Sequence, residues 1–347
     1  MMDVKPYLDH GDLVAGLINT GLRITDVDAA AVLLQKYGYH RLSGYRYLYR
    51  QRLAQEEVSR ESRRFRSKEH VPGSSLDDVV QLAEFDVRLR SVMAEAIEDF
   101  EVRLRTAVAH AIARRSELGH LFVEHLDKGR CSKVPPGRSQ TSHEIFLSQV
   151  QEVTELAHRR NDDFVVHHRQ VYGPDLPVWA VVEHLTFGTL VFLLDYLKDE
   201  DKRSVANTFG VRHPAQFVKW VRAIGALRND VAHAVRLFNK PLKNQIAIPG
   251  NAASEWPLLC KTARHLGRGK NLPEAQRPSR RVYAHAAVLA YLLRIHPAGS
   301  LWWDSFRQIV DGFPEHPTVA LSPEENMGFP AGWRDDPLWC PDDLGPP

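Results

Sequence analysis

The residues best suited to chemistry lie in one short stretch, which reads Leu-Arg-Asn-Asp-Val-Ala-His from position 227 to 233. Asn229 directly follows Arg228, and His233 comes five positions after the arginine. Imidazole gives or takes a proton near neutral pH, and guanidinium is a permanent planar cation that binds phosphate oxygens. These groups suit cleavage of RNA by its own 2′-hydroxyl. That reaction needs no metal, and DNA, which lacks the hydroxyl, does not undergo it.

The spacing of Arg228 and His233 poses a geometric problem. Each residue of a regular helix turns by about 100°, so positions five apart diverge by roughly 140°. One solution is a helix that bends near Asn229 and Asp230, which are both weak helix formers. The other is a site assembled from two copies of the motif. The alternative to both is that Arg228 and His233 are ordinary residues near a helix terminus.

Composition predicts a soluble globular protein of one large or two ordinary domains. The chain has 347 residues, of which 44% are hydrophobic and 25% charged. The net charge of +2 requires any nucleic-acid surface to be a local patch. Three scattered cysteines and the absence of a signal peptide favour a reducing cytoplasm, and residues 178–197 are too polar to span a membrane. We expect a cytoplasmic protein without membrane contact.

A tyrosine- and arginine-rich stretch predicts an RNA-facing surface. Five tyrosines interleave with four arginines between positions 37 and 52, and further arginines follow up to position 66. Tyrosine rings stack on unpaired bases, and arginines hold phosphates. The alternative is that the tyrosines pack half-buried and the basic loop is only solvated. The predicted RNA-binding residues are Tyr39, Arg41, Tyr45, Arg46, Tyr47, Arg50, Arg63, Arg64 and Arg66.

Apolar residues at three- and four-residue steps predict an all-α fold. The longest predicted helix runs from 76 to 114 with Ser75 as its N-cap. Others are predicted at 7–20, 25–36 with Thr25 as N-cap, 143–170, 178–196, from Pro214 into the motif, 281–295 and 300–312. We expect an N-terminal helical and basic segment (1–74), a helical core (75–243) and a C-terminal helical extension (244–347).

A second arginine–histidine pair with the same spacing lies late in the long helix. Arg105 and His110 lack a following asparagine, so an ordinary helix face is the favoured interpretation. The sharper hypothesis is that the pair lines the same cleft as Arg228 and His233. The remaining histidines have no cysteine or carboxylate partners at ligand spacing, so we expect no metal and no cofactor.

Several stretches together resemble the Abi-like family of bacterial abortive-infection proteins, of the AbiD/AbiF type within the HEPN group. The resemblance implies an all-helical HEPN-type bundle and a metal-independent endoribonuclease site at Arg228, Asn229 and His233. It also implies phage defence, assembly of the cleft by dimerisation, and a structured noncoding RNA as partner. The family often reads Cys-Ala-His-His where this chain has Val-Ala-His-Ala at 231–234. The matching stretches are 38–45, 84–90, 104–106, 176–179, 187–190, 227–233, 236–239, 327–330, Trp333 and 337–339.

These observations lead to one favoured function and two alternatives. His233 is expected to act as general acid and base, Arg228 to stabilise the phosphate, and Asn229 to orient them. We expect a homodimer if only this motif is catalytic, whereas a monomer suffices if one chain supplies both arginine–histidine pairs to a single cleft. The first alternative is a catalytically silent scaffold that binds a structured RNA through the tyrosine- and arginine-rich stretch. The second is a toxin silenced by a protein antitoxin.

Overall fold

The computed structural model describes residues 4, 6–54, 57–58, 65–249, 256–295 and 300–340, the side chains at 300 and 301 excepted. Within these ranges the chain forms fifteen α-helices and one two-stranded sheet, so the predicted all-α class is confirmed. The helices are α1 (His10–Asn19), α2 (Val27–Tyr37), α3 (Tyr39–Arg46), α4 (Leu76–Ala113), α5 (Lys128–Cys131), α6 (Ser142–Arg159), α7 (Asp163–Tyr172), α8 (Val178–His184), α9 (Phe187–Tyr196), α10 (Asp199–Thr208), α11 (Pro214–Ala232), α12 (Cys260–Arg268), α13 (Val282–Leu293), α14 (Ser300–Asp311) and α15 (Pro323–Met327). The antiparallel strands are β1 (Arg50–Arg52) and β2 (Arg66–His70), with Arg50 opposite His70.

The chain divides into two compact units. The first comprises residues 1–90 with 307–327, and the second comprises 91–306 with 328–347. The division falls inside α4, after Arg90. The three domains expected from the sequence, 1–74, 75–243 and 244–347, stay a prediction.

Helix α4 begins where its sequence predicts. The Ser75 hydroxyl accepts a hydrogen bond from the Asp78 N–H at 3.2 Å, and the Asp78 carboxylate accepts one from the Ser75 N–H at 2.7 Å. This reciprocal pair satisfies donors that the first helical turn leaves unpaired. The cap predicted for α2 is wrong by one residue, because the Asp26 carboxylate, rather than Thr25, accepts from the Ala29 N–H at 2.9 Å.

Two predicted helices are broken by local turns. The one predicted at 143–170 is divided into α6 and α7 at Asn161, whose φ of 55° is left-handed. Asparagine tolerates this conformation better than most residues. The one predicted at 178–196 is divided into α8 and α9, because the Thr186 hydroxyl accepts from the Thr189 N–H and starts a new helix. The sequence pattern does not predict helices α5, α10, α12 and α15. Helix α10 opens with three acidic residues, which favour a helix N-terminus without forming an apolar stripe.

A buried polar group lies in the core of the first unit. The Tyr45 ring is 1% exposed, and its hydroxyl donates to the Asp86 carboxylate at 2.7 Å. Arg90, four residues further along α4, donates to the same carboxylate oxygen. Burial and the Asp86 charge raise the pKa of Tyr45, so the phenol stays protonated as a donor.

The core of the second unit is built around α13, in which all residues are buried. Tryptophans close this core: Trp302 and Trp339 both stack on Phe306, with ring centroids 5.3 Å and 5.0 Å from it, respectively. Trp303 and Trp333 are also buried. All four tryptophans are therefore packing residues of this core and offer no surface for stacking bases.

Substituting Tyr45→Phe should lower the free energy of unfolding by about 1–2 kcal/mol, because buried Asp86 loses a hydrogen-bond donor. The matched control is Tyr47→Phe on a half-buried ring, which should change stability by less than about 0.5 kcal/mol. Denaturant titration followed by circular dichroism measures both variants. Equal stability of Tyr45→Phe and the wild type would contradict this account of the buried group.

Candidate active site

Helix α11 carries the motif on its last turn. The predicted apolar stripe of Phe217, Val221, Ile224 and Leu227 is buried, and α11 packs against α9, α10 and α13. A side chain at Gly225 would meet the Phe187 ring at 2.8 Å, so this glycine lets α9 approach closely. Pro214 occupies the first helical position as predicted.

The helix ends at the histidine in a regular C-terminal turn. His233 is the C-cap, the Val235 N–H donates to the Asp230 carbonyl at 2.8 Å, and the Ala234 N–H donates to the Val231 carbonyl at 3.0 Å. This is the Schellman pattern, with Ala234 left-handed at φ 52° where glycine is usual. Of the two geometric solutions, a break in the helix near Asn229 is not seen, because α11 is continuous to Ala232. Packing of α11 overrides the weak helix propensity at that point.

Arg228 is held at the edge of a cavity by a carboxylate from α4. Its side chain is 41% exposed, and its Nε lies 3.4 Å from the Glu101 Oε2. Glu101 is only 13% exposed, and its other oxygen accepts a hydrogen bond from Arg105. The cavity has a volume of about 420 Å³ and is lined by both arginines together with Glu98, Glu101 and Glu183. One carboxylate thus bridges two arginines from different helices.

Arg105 and His110 lie in different surroundings. Arg105 is 8% exposed and donates to the carbonyls of Val182 and of Leu185, the second at 3.0 Å. These carbonyls belong to the C-terminal end of α8, where a cation is electrostatically favourable. His110 is exposed and lines a separate cavity. The structure brings Arg105, but not His110, to the cavity of Arg228.

His233 and Asn229 are both exposed and are not among the residues that line the Arg228 cavity. A single chain therefore brings Arg228 together with Glu101 and Arg105, and presents His233 at the end of the same helix. Of the two geometric solutions, the assembly of two motif copies is the one compatible with an unbroken α11.

Two of the predicted RNA-binding residues are interior. Tyr45 belongs to the buried group with Asp86, and Arg46 is 4% exposed with its guanidinium 4.7 Å from the centre of the Tyr39 ring. Side chains buried in this way have no face to offer to RNA. Tyr45 and Arg46 are therefore corrected from RNA contacts to packing residues.

The other members of that set differ in position. Arg41 is exposed, whereas Tyr47 is half-buried and has the Arg66 guanidinium 5.8 Å from its ring centre. Burial, followed by the nearby Arg46 charge, lowers the pKa of half-buried Arg50. Arg63 and Arg64 lie outside the described residues.

The described residues contain no group of three or more His, Cys, Asp or Glu side chains placed to hold a metal ion. In the same part of the chain, no helix combines the length and the apolar character needed to cross a bilayer.

A family model described as "Abi-like protein" matches residues 32–239, which is more than half of the chain. The chain belongs to the Abi-like protein family. The match contains both the tyrosine- and arginine-rich stretch and the motif on α11. No curated protein and no solved structure matches the chain.

Sequence reasoning about this Abi-like protein missed Glu101. A glutamate four residues before Arg105 on a helix is a signal for an ion pair between the two. The contact with Arg228, in contrast, joins helices far apart in the chain and has no local signature. Only tertiary packing of α4 against α11 could reveal it.

Substituting Arg105→Met should lower the free energy of unfolding by about 3–5 kcal/mol, because it leaves the Glu101 charge poorly compensated and removes a donor from the α8 carbonyls. His110→Ala, on the same helix but exposed, should stay within about 0.5 kcal/mol of the wild type. Denaturant titration distinguishes the two. If Arg105→Met is fully stable, Arg105 is not the structural residue described above.

Substituting Ala234→Gly should raise the free energy of unfolding by about 0.5–1 kcal/mol, because glycine adopts the left-handed conformation without steric cost. The greater conformational entropy of glycine in the unfolded chain offsets part of this gain. Thermal unfolding measures the change. Gly210→Ala, at a φ of 64°, serves as the reverse control and should destabilise. A loss of stability in Ala234→Gly would argue against the Schellman turn that positions His233.

Proposed function

We propose that this Abi-like protein is a metal-independent endoribonuclease that acts in abortive-infection defence against phage. Membership of the family supports the defence role. The observation that carries the enzymatic proposal is the exposure pattern of α11. The helix is buried along its apolar stripe, yet it presents Arg228, Asn229 and His233 to solvent at its end. A cation, an amide and an imidazole are accessible together only there on this helix.

Each of the three residues has a role in the proposed reaction. His233 takes the proton from the 2′-hydroxyl or returns one to the departing 5′-oxygen. The bond from the 2′-oxygen to phosphorus forms, and the bond from phosphorus to the 5′-oxygen breaks. The products are a 2′,3′-cyclic phosphate and a 5′-hydroxyl. Arg228 stabilises the negative charge on the crowded phosphorus centre, and Asn229 orients the phosphate.

Glu101 supports the role of Arg228 by fixing its guanidinium. The carboxylate approaches the Nε at 3.4 Å, which leaves the two Nη groups for a phosphate. A pre-oriented guanidinium loses less conformational freedom when substrate binds. Glu101 is thus a positioning residue in the proposed mechanism.

The proposed enzyme works as a homodimer. On a regular helix Arg228 and His233 point about 140° apart, and α11 is regular up to Ala232. Two copies of α11 placed side by side supply the arginine of one chain beside the histidine of the other. This arrangement answers the geometric problem without a bend in the helix.

Cleavage of total RNA in EDTA tests the proposal. His233→Ala and Arg228→Ala should each lower the rate by about 100-fold or more, because each removes a group that acts on the transition state. Matched controls are His167→Ala, an exposed histidine on α7, and Arg222→Ala, which is 49% exposed on α11 itself. Both controls should cleave like the wild type. His233→Ala cleaving as fast as the wild type would refute the assignment.

A second candidate function is a catalytically silent scaffold that binds a structured noncoding RNA. It is favoured by the cations of the β1–β2 hairpin in the first unit: Arg52 and Lys68 are exposed, and Arg66 lies opposite Arg52. Crowded cations of this kind bind phosphates well. On this proposal, wild type and His233→Ala recover equal amounts of RNA from cells, with no new RNA ends.

A further inference from the structure

A second cavity of about 450 Å³ opens between α4 and α10, and no function has yet been assigned to it. Its volume lies within the range of about 300–1,000 Å³ that is typical of small-molecule sites. The floor is apolar: Ala111, Val205 and Phe209 line it and are at most 3% exposed. Phe209 is fixed by stacking on Phe217, with ring centroids 5.1 Å apart. Such a floor accepts a flat ring.

The rim of the cavity carries donors and cations. Arg103 pairs with Asp99 through Nη2 at 2.7 Å, while its Nη1 is buried and has no hydrogen-bond partner among the described residues. Arg114 donates to the Ser204 hydroxyl at 3.0 Å, which leaves the Ser204 proton for another acceptor. His110 adds an exposed imidazole.

The charge of this rim selects an anion. No carboxylate is among the residues that line the cavity, whereas two guanidiniums are. Asp99 offsets part of the Arg103 charge, but Arg114 is exposed and bound only to a neutral hydroxyl in the contacts described. Phosphate is the anion best matched by a fork of arginine donors with a hydroxyl beside it.

We propose that this cavity binds one nucleotide, with its base on the apolar floor and its phosphate against Arg103, Arg114 and Ser204. The chemistry is a flat ring joined to a phosphate, which a free mononucleotide and a unit of an RNA strand share. Val102 lines both this cavity and the cavity of Arg228, so the two sites adjoin along α4. Nucleotide binding stands independently of catalysis. A role in placing the RNA strand beside Arg228 rests on the proposed function.

Isothermal titration of the full chain with the four nucleoside 5′-monophosphates tests the site. The His233→Ala chain is used so that the proposed cleavage does not interfere. At least one monophosphate should bind about 10-fold or more tightly than its nucleoside and than inorganic phosphate, because both halves of the site contribute. Arg114→Gln should weaken that binding about 10-fold. Arg203→Gln, an exposed arginine on α10 that does not line the cavity, should leave it unchanged.

The same titration with a single-stranded RNA hexamer separates the two sources. Tighter binding of the hexamer than of any monophosphate, weakened by Arg114→Gln, assigns the site to a strand. Binding of monophosphates alone assigns it to a free nucleotide. No binding of any monophosphate or hexamer, or equal binding in Arg114→Gln and Arg203→Gln, overturns the proposal. These titrations measure binding alone. Their outcome is therefore independent of whether His233→Ala abolishes RNA cleavage.

Discussion

The carboxylate of Glu101 is the constraint on which the motif region depends. It is largely buried, it bridges Arg105 and Arg228, and Arg105 in turn holds the C-terminal carbonyls of α8. Charges taken out of water are tolerated only when each is compensated, so removing Arg105 would leave the largely buried Glu101 carboxylate poorly compensated. This single group therefore ties α4, α8 and α11 together. It also fixes the guanidinium that the proposed chemistry requires.

The periodic parts of the fold were predictable from sequence. The apolar steps of α4, the Ser75 cap and the buried stripe of α11 depend on neighbours along the chain, and all three are confirmed. Failures occur where tertiary packing decides. Tyr45 lies in a stretch whose composition indicates RNA contact, but its hydroxyl donates to the buried Asp86 carboxylate, which also pairs with Arg90. Weak helix formers at 229–230 suggested a bend, but the packing of α11 and the capping turn at Ala234 keep it regular.

The candidate site was only half accessible to sequence reasoning. A local motif identified Arg228, Asn229 and His233, because their spacing can be read directly. The Glu101 contact and the separation of Arg105 from His110 depend on which helices meet, and spacing within one helix carries no such information. Equal spacing in the two arginine–histidine pairs concealed two different roles. Arg228 and His233 lie at the C-terminal end of α11, where His233 is exposed. Arg105 is buried and donates hydrogen bonds to the carbonyls at the end of α8.

The central claim is that RNA is cut by its own 2′-hydroxyl at the motif on α11. The most direct measurement uses a short RNA of known cleavage position in EDTA, compared with the same RNA carrying one 2′-deoxy nucleotide just before the cut. The account predicts that the unmodified RNA yields a 2′,3′-cyclic phosphate and a 5′-hydroxyl, and that the single deoxy substitution abolishes cleavage at that position. Cleavage of the deoxy-substituted RNA at the same bond and rate would contradict it.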